Sequence, residues 1–163
     1  MAGELFAKER AIITLQDRTN TTAMTTGSAA AAAVDLDMRS GGNAAQDFLA
    51  AFELLCRWGT ITNILAGVVA AELYLVPLVD GTDLPNVNLT AGASYLSAGA
   101  LRGVFDVVAQ AVTATDMRFA IDNIPLMPLL YRPYILNRSG QTMTTTSGTS
   151  WQLKVVTSRE QYT

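Results

Sequence analysis

The sequence predicts an all-β protein, built as a sandwich, jelly roll or barrel. Three observations predict it: apolar and polar residues alternate with period two in segment after segment, turn signals recur at short spacing, and credible helices are few. With 163 residues, half of them hydrophobic, the chain is long enough for one domain, since a chain of this size buries roughly 68–70% of its unfolded surface.

The first strand expected is Ala11 to Gln16, and the next is Ala32 to Asp37. Between them, Thr19 to Ala33 is Thr-rich and then Ala-rich and offers little bulk for a core. Residues 1–30 are therefore read as an N-terminal arm and linker, and residues 31–163 as the sandwich. In Asp47 to Trp58 the even positions Phe48, Ala50, Phe52, Leu54, Cys56 and Trp58 are all apolar, while Asp47, Glu53 and Arg57 fall on the odd side. A helix would also gather Phe48, Ala51, Phe52 and Leu55 on one face. Gly59 and the β-forming "TITNI" that follow favour the strand.

Val69 to Val79, Leu101 to Ala109, Met117 to Ile124, Leu130 to Asn137 and Trp151 to Thr157 complete the set. Turns are expected at Arg39 to Asn43, Val79 to Asn86, Thr113 to Asp116 and Asn137 to Gln141, and a polar hairpin tip at Thr142 to Ser150. Pro77 and Pro133 lie inside strand-like runs and cannot donate to a ladder, which predicts an edge or a bulge at each. Ile61 to Val79 is apolar enough to raise a membrane span, but Asn63, Glu72 and Pro77 interrupt it and two buried strands fit better, so no membrane partner is expected.

Charge and chemistry-bearing residues exclude several function classes. The net charge of −3 removes the electrostatic attraction that dominates nucleic-acid binding. It is unevenly spread, with five basic and ten acidic residues up to Leu101 and six basic and four acidic from Arg102 onward. One cysteine, Cys56, and no histidine rule out an internal disulfide, a Cys/His zinc site and a histidine triad. Cys56 sits among large apolar neighbours in "FELLCRWG" and is read as core. The N-terminal "MAGELFAKER" carries charges where an export signal needs an apolar stretch, so the sequons at Asn20, Asn88 and Asn137 have no expected use.

"LVDGT" at Leu78 to Thr82 resembles the D-x-D-G-T loop of haloacid-dehalogenase phosphatases, but Leu78 stands where that chemistry needs its nucleophilic aspartate. Asp80-Gly81 is instead the expected turn of a hairpin. Asp80 and Asp83 alone fall short of the six to eight oxygens calcium takes, and no phosphate-binding glycine motif occurs, so neither cofactor nor metal is expected. Phe48, Phe52, Trp58, Phe105, Phe119 and Trp151 lie in alternating strands and are read as core, while Tyr131, Tyr134 and Tyr162 could equally be core or mark an interface, where amphipathic rings are enriched.

The order "DFLAAFELLCRWGT", "AGVVAAELYLVPLVDGTDL", "GVFDVVAQ", "RFAIDNIPLMPLLYRPYILNRSGQTM" and "WQLKVVTSREQY", spanning Asp47 to Tyr162, resembles small virion proteins of tailed bacteriophages. The most similar are jelly-roll decoration or cement proteins of the capsid exterior. The resemblance implies a jelly-roll β-sandwich with an extended arm and a non-enzymatic role in the virion. Its implied partners are the major capsid protein and neighbouring copies of the chain, through a homo-oligomer. In that setting Leu5, Phe6, Ile12 and Ile13 are the expected anchors of the arm, with ordinary first-strand core as the other reading of the same four. A tail, baseplate or fibre component and a carbohydrate-binding β-sandwich are the alternatives.

Overall fold

The computed structural model of the chain describes residues 5–9, 11–18, 23–45, 47–58, 67–78, 96, 98–107, 115–143 and 151–162. Asp80, Asp83, Asn20 and Asn88, the Asp80-Gly81 turn and most of the Thr142 to Ser150 tip lie outside them.

Among the described residues ten strands follow in chain order: β1 (Leu5–Glu9), β2 (Ile13–Gln16), β3 (Ala29–Ala31), β4 (Leu36–Asp37), β5 (Leu49–Arg57), β6 (Val69–Leu78), β7 (Leu101–Asp106), β8 (Asp116–Pro125), β9 (Leu130–Asn137) and β10 (Trp151–Tyr162). They form two antiparallel five-stranded sheets. The first has the order β1-β10-β5-β8 with β2 also on β10, and the second β3-β9-β6-β7 with β4 also on β9. The pairs nest: β6 with β7, β5 with β8, β3 and β4 with β9, β1 and β2 with β10. This long hairpin is rolled so that β5 also meets β10 and β6 also meets β9, which is the jelly-roll order.

The core between the sheets follows from alternation. In β5 the inward Ala50, Phe52, Leu54 and Cys56 are 2%, 1%, 0% and 0% exposed, continuing to Trp58 at 0%, which resolves Asp47 to Trp58 as a strand. They meet Leu73, Phe105, Tyr131, Ile135, Trp151 and Leu153 from both sheets. Each such side chain contributes roughly 1.5–3 kcal/mol on leaving water. Trp58 and Phe119 meet edge to face, with centroids 6.0 Å apart.

The segment read as an arm and linker supplies three strands to the sheets, and the expected boundary at residue 31 falls on the last residue of β3. Leu15 and Met24 are core residues at 0% and 3% exposure. The Ala-rich run needs no bulk because its ladder is backbone: Ala29, Ala30 and Ala31 pair with Leu136, Ile135 and Tyr134. Val34 N–H donates to the Leu15 carbonyl (2.9 Å) and Ala33 N–H to Gln16 Oε1 (3.0 Å), closing one side of the sandwich.

The opposite side closes where β7 meets β8. A Cβ on Gly103 would lie 2.8 Å from Ile121 Cδ1 and 2.9 Å from its Cγ2, so the bare backbone of Gly103 allows these two edges to approach.

Both prolines sit in interior strands, at places where one neighbour is interrupted. Pro77 lies beyond the last β7 pair, Tyr74 with Leu101, and Pro133 lies opposite the break between β3 and β4. An interrupted neighbour satisfies the same requirement as a sheet edge, because no partner there needs the missing N–H.

Candidate interaction surface

The expected interface residues are dispersed. Leu5 and Phe6 lie in β1, in register with Tyr162 and Gln161. Ile12 is 63% exposed beside the start of β2, and the next residue, Ile13, packs partly against the core. Tyr131 and Tyr134 correct the expectation: at 2% and 1% exposure they are interior residues with no surface to offer. Tyr131 points between the sheets, where its hydroxyl accepts from Met127 N–H at 3.1 Å. Tyr134 points the other way, to a second apolar cluster on the outer face of the second sheet.

That outer face is roofed. Tyr74, Val76, Tyr134 and Leu136 are covered by Leu96 and by Ala100 of the short 3-10 turn Ala98–Ala100. At its margin the Tyr74 hydroxyl donates to Glu72 Oε2 (2.7 Å), which also accepts from Arg138 Nε (3.0 Å). Burial, and then Glu72, hold that phenol above its ordinary pKa, so it stays a neutral donor.

The outer face of the first sheet is more open among the described residues, although Leu55 on it is buried. Small side chains, Ala51 and Val156, floor two adjoining depressions of about 210 and 320 Å³. Ile12, Glu53, Arg118 and Lys154 border the first, and Asp122, Asn123 and Ser158 the second. The relief has a backbone cause: the β5–β8 register slips between Ala50 and Phe52, and Asn123 adopts φ +57°. Arg118 Nη1 meets Glu53 Oε1 at 3.0 Å, with the two side chains 65% and 38% exposed. Such a solvated pair contributes under about 1 kcal/mol and orders the surface more than it stabilises it.

The buried and semi-buried polar groups are structural. Asn137 Nδ2 donates to the carbonyls of Met24 (2.8 Å) and Gln141 (2.7 Å), and its Oδ1 accepts from Ser139 N (3.0 Å) and Oγ (2.7 Å). Trp58 Nε1 donates to the same Ser139 Oγ at 3.0 Å, so the "NRSGQ" turn is a polar knot between the sheets, and Asn137, fully buried, is closed to a glycan. At the same end Asp116 accepts from Arg18 at 2.7 and 2.8 Å and from Arg57 at 2.9 Å. The Arg18 hydrogen bonds hold its carboxyl below the usual range, making it a fixed anion and a poor proton carrier. Thr157 Oγ1 donates to the buried carboxylate of Asp47. Burial raises the Cys56 thiol far above its ordinary value, which leaves it without nucleophilic thiolate.

Among the described residues no cluster of three or more acidic or cysteine side chains is placed to hold a metal ion and no helix is long and apolar enough to cross a membrane, and none of the rings of Phe48, Phe52, Trp58, Tyr74, Phe105, Phe119, Tyr131, Tyr134 and Trp151 is exposed. No protein-family model matches the chain, and no curated sequence matches it. Sequence reasoning missed the open face, because alternation marks Ala51, Glu53, Lys154 and Val156 as outward without telling which of them become neighbours.

Proposed function

We propose that the protein is a non-enzymatic virion component of a tailed phage, a decoration or cement protein that binds the shell of major capsid protein. The observation that most supports this reading is the nested strand order, the same fold that the sequence resemblance implies. The surface chemistry agrees with it. Only 15% of residues are charged, and among the described residues one sheet face carries open depressions. Surface complementarity, with apolar anchors and a polar rim, is the working chemistry of such a role.

The test is co-sedimentation of the purified protein with DNA-free shells of its own phage. Saturable binding that raises the temperature at which the shells break supports the reading. Absence of shell binding combined with retention on immobilised glycans overturns it in favour of a sugar-binding module, and attachment to tails alone moves the protein to the tail, baseplate or fibre. Removing Met1 to Glu9 should weaken shell binding; unchanged binding assigns Leu5 and Phe6 to the first strand alone.

A further inference from the structure

We infer that the open outer face of the first sheet is a self-association surface, which takes a second copy of this chain across a two-fold axis. The inference does not depend on the capsid reading. Register places the groups that carry it. Lys154 pairs with Glu53, and Glu53 with Ala120 on β8; the next row holds Val156 and Ala51, with Asp122 beside the bulge. Rows on one face lie about 7 Å apart along the strands, and β10 and β8, two strands apart, are separated by roughly 9.5 Å. Glu53 and Ala51 of β5 lie between Lys154 and Asp122, and in the row of Asp122 the floor is Ala51 and Val156, small enough for another sheet to approach to the ordinary packing distance of about 10 Å.

Charge selects the occupant. Glu53 is engaged by Arg118. Among the described residues Lys154 and Asp122 make no ion pair, so one cation and one anion face outward on the two strands that flank β5. A purely acidic or purely basic partner would match one and repel the other. A copy of the same face, turned about an in-plane two-fold axis bisecting the line between them, sets Lys154 against Asp122 twice. That is the self-complementarity an isologous interface requires.

Sedimentation equilibrium of the full chain over a range of concentrations tests the inference. A monomer–dimer equilibrium is expected, weakened by salt. Lys154→Glu and Asp122→Lys should each weaken the dimer by about tenfold or more, and the double variant should restore it. Lys154→Gln and Asp122→Asn provide the same comparison should a reversal lower the melting temperature. A monomer at every concentration, a trimer, single variants that dimerise like the parent, or a double variant that fails to recover each overturn it.

Discussion

The two sheets bury their inner faces against one another, but their outer faces have different fates. On the second, Tyr74, Val76, Tyr134 and Leu136 are closed beneath Leu96 and Ala100; on the first, Ala51 and Val156 floor an open surface. The strands record this difference in their composition. β6, "VAAELYLVPL", is apolar on both parities because both of its faces are covered, whereas β5, "LAAFELLCR", places Glu53 and Arg57 among the outward positions. A strand covered on both sides loses its alternation, and one covered on a single side keeps it.

The comparison predicts a large asymmetry in stability. Tyr134→Ala should cost roughly 3–5 kcal/mol in urea unfolding, the range for deleting a buried aromatic ring, while Val156→Ala should cost under about 1 kcal/mol. Equal losses would mean that the first face is as closed as the second.

A second contrast lies at one end of the sandwich, between the buried Asn137 knot and the more exposed Asp116 pairs. Asn137→Ala removes one donor from the Met24 and Gln141 carbonyls, which keep Met143 N–H and Ser139 Oγ–H, and leaves Ser139 N–H without its acceptor; it should cost roughly 1–3 kcal/mol, insensitive to salt. A loss that vanishes in high salt would contradict the knot.

Asp116→Asn should cost under about 1 kcal/mol at neutral pH, since its side chain is 33% exposed and solvent screens the pairs. The folded-state pKa of Asp116 is depressed, so its contribution is fully present above the unfolded carboxylate value of about 4 and is lost as pH falls through the folded value. Urea midpoints of parent and variant should therefore converge in acid; a constant gap down to the lowest pH would exclude the ion pairs as its source.

Much of the fold was legible in the sequence, and particular residues show why some was not. The eight expected segments each contain a strand, because alternation and turn residues are local signals. β3 was hidden: its Ala-rich segment lacks β-forming bulk, and its place is set by a ladder to β9, more than one hundred positions away. Tyr131 and Tyr134 were misplaced because tyrosine suits interfaces and interiors alike; the apolar run around them in "LLYRPYIL" was the available sign of a strand enclosed on both sides. The pairing of Lys154 with Glu53 and the bulge near Asp122 are properties of register, which no single segment contains.

The nested order has one further consequence. Each of the described ladders joins a strand from before the β6–β7 connection to a strand from after it, so among the described residues neither half holds a ladder of its own. Severed between Leu78 and Leu101, the two pieces would be sets of unsatisfied edges, each the sole template for the other. The molecule is thus built as two interleaved combs, and a half-made copy has no ladder on which to begin.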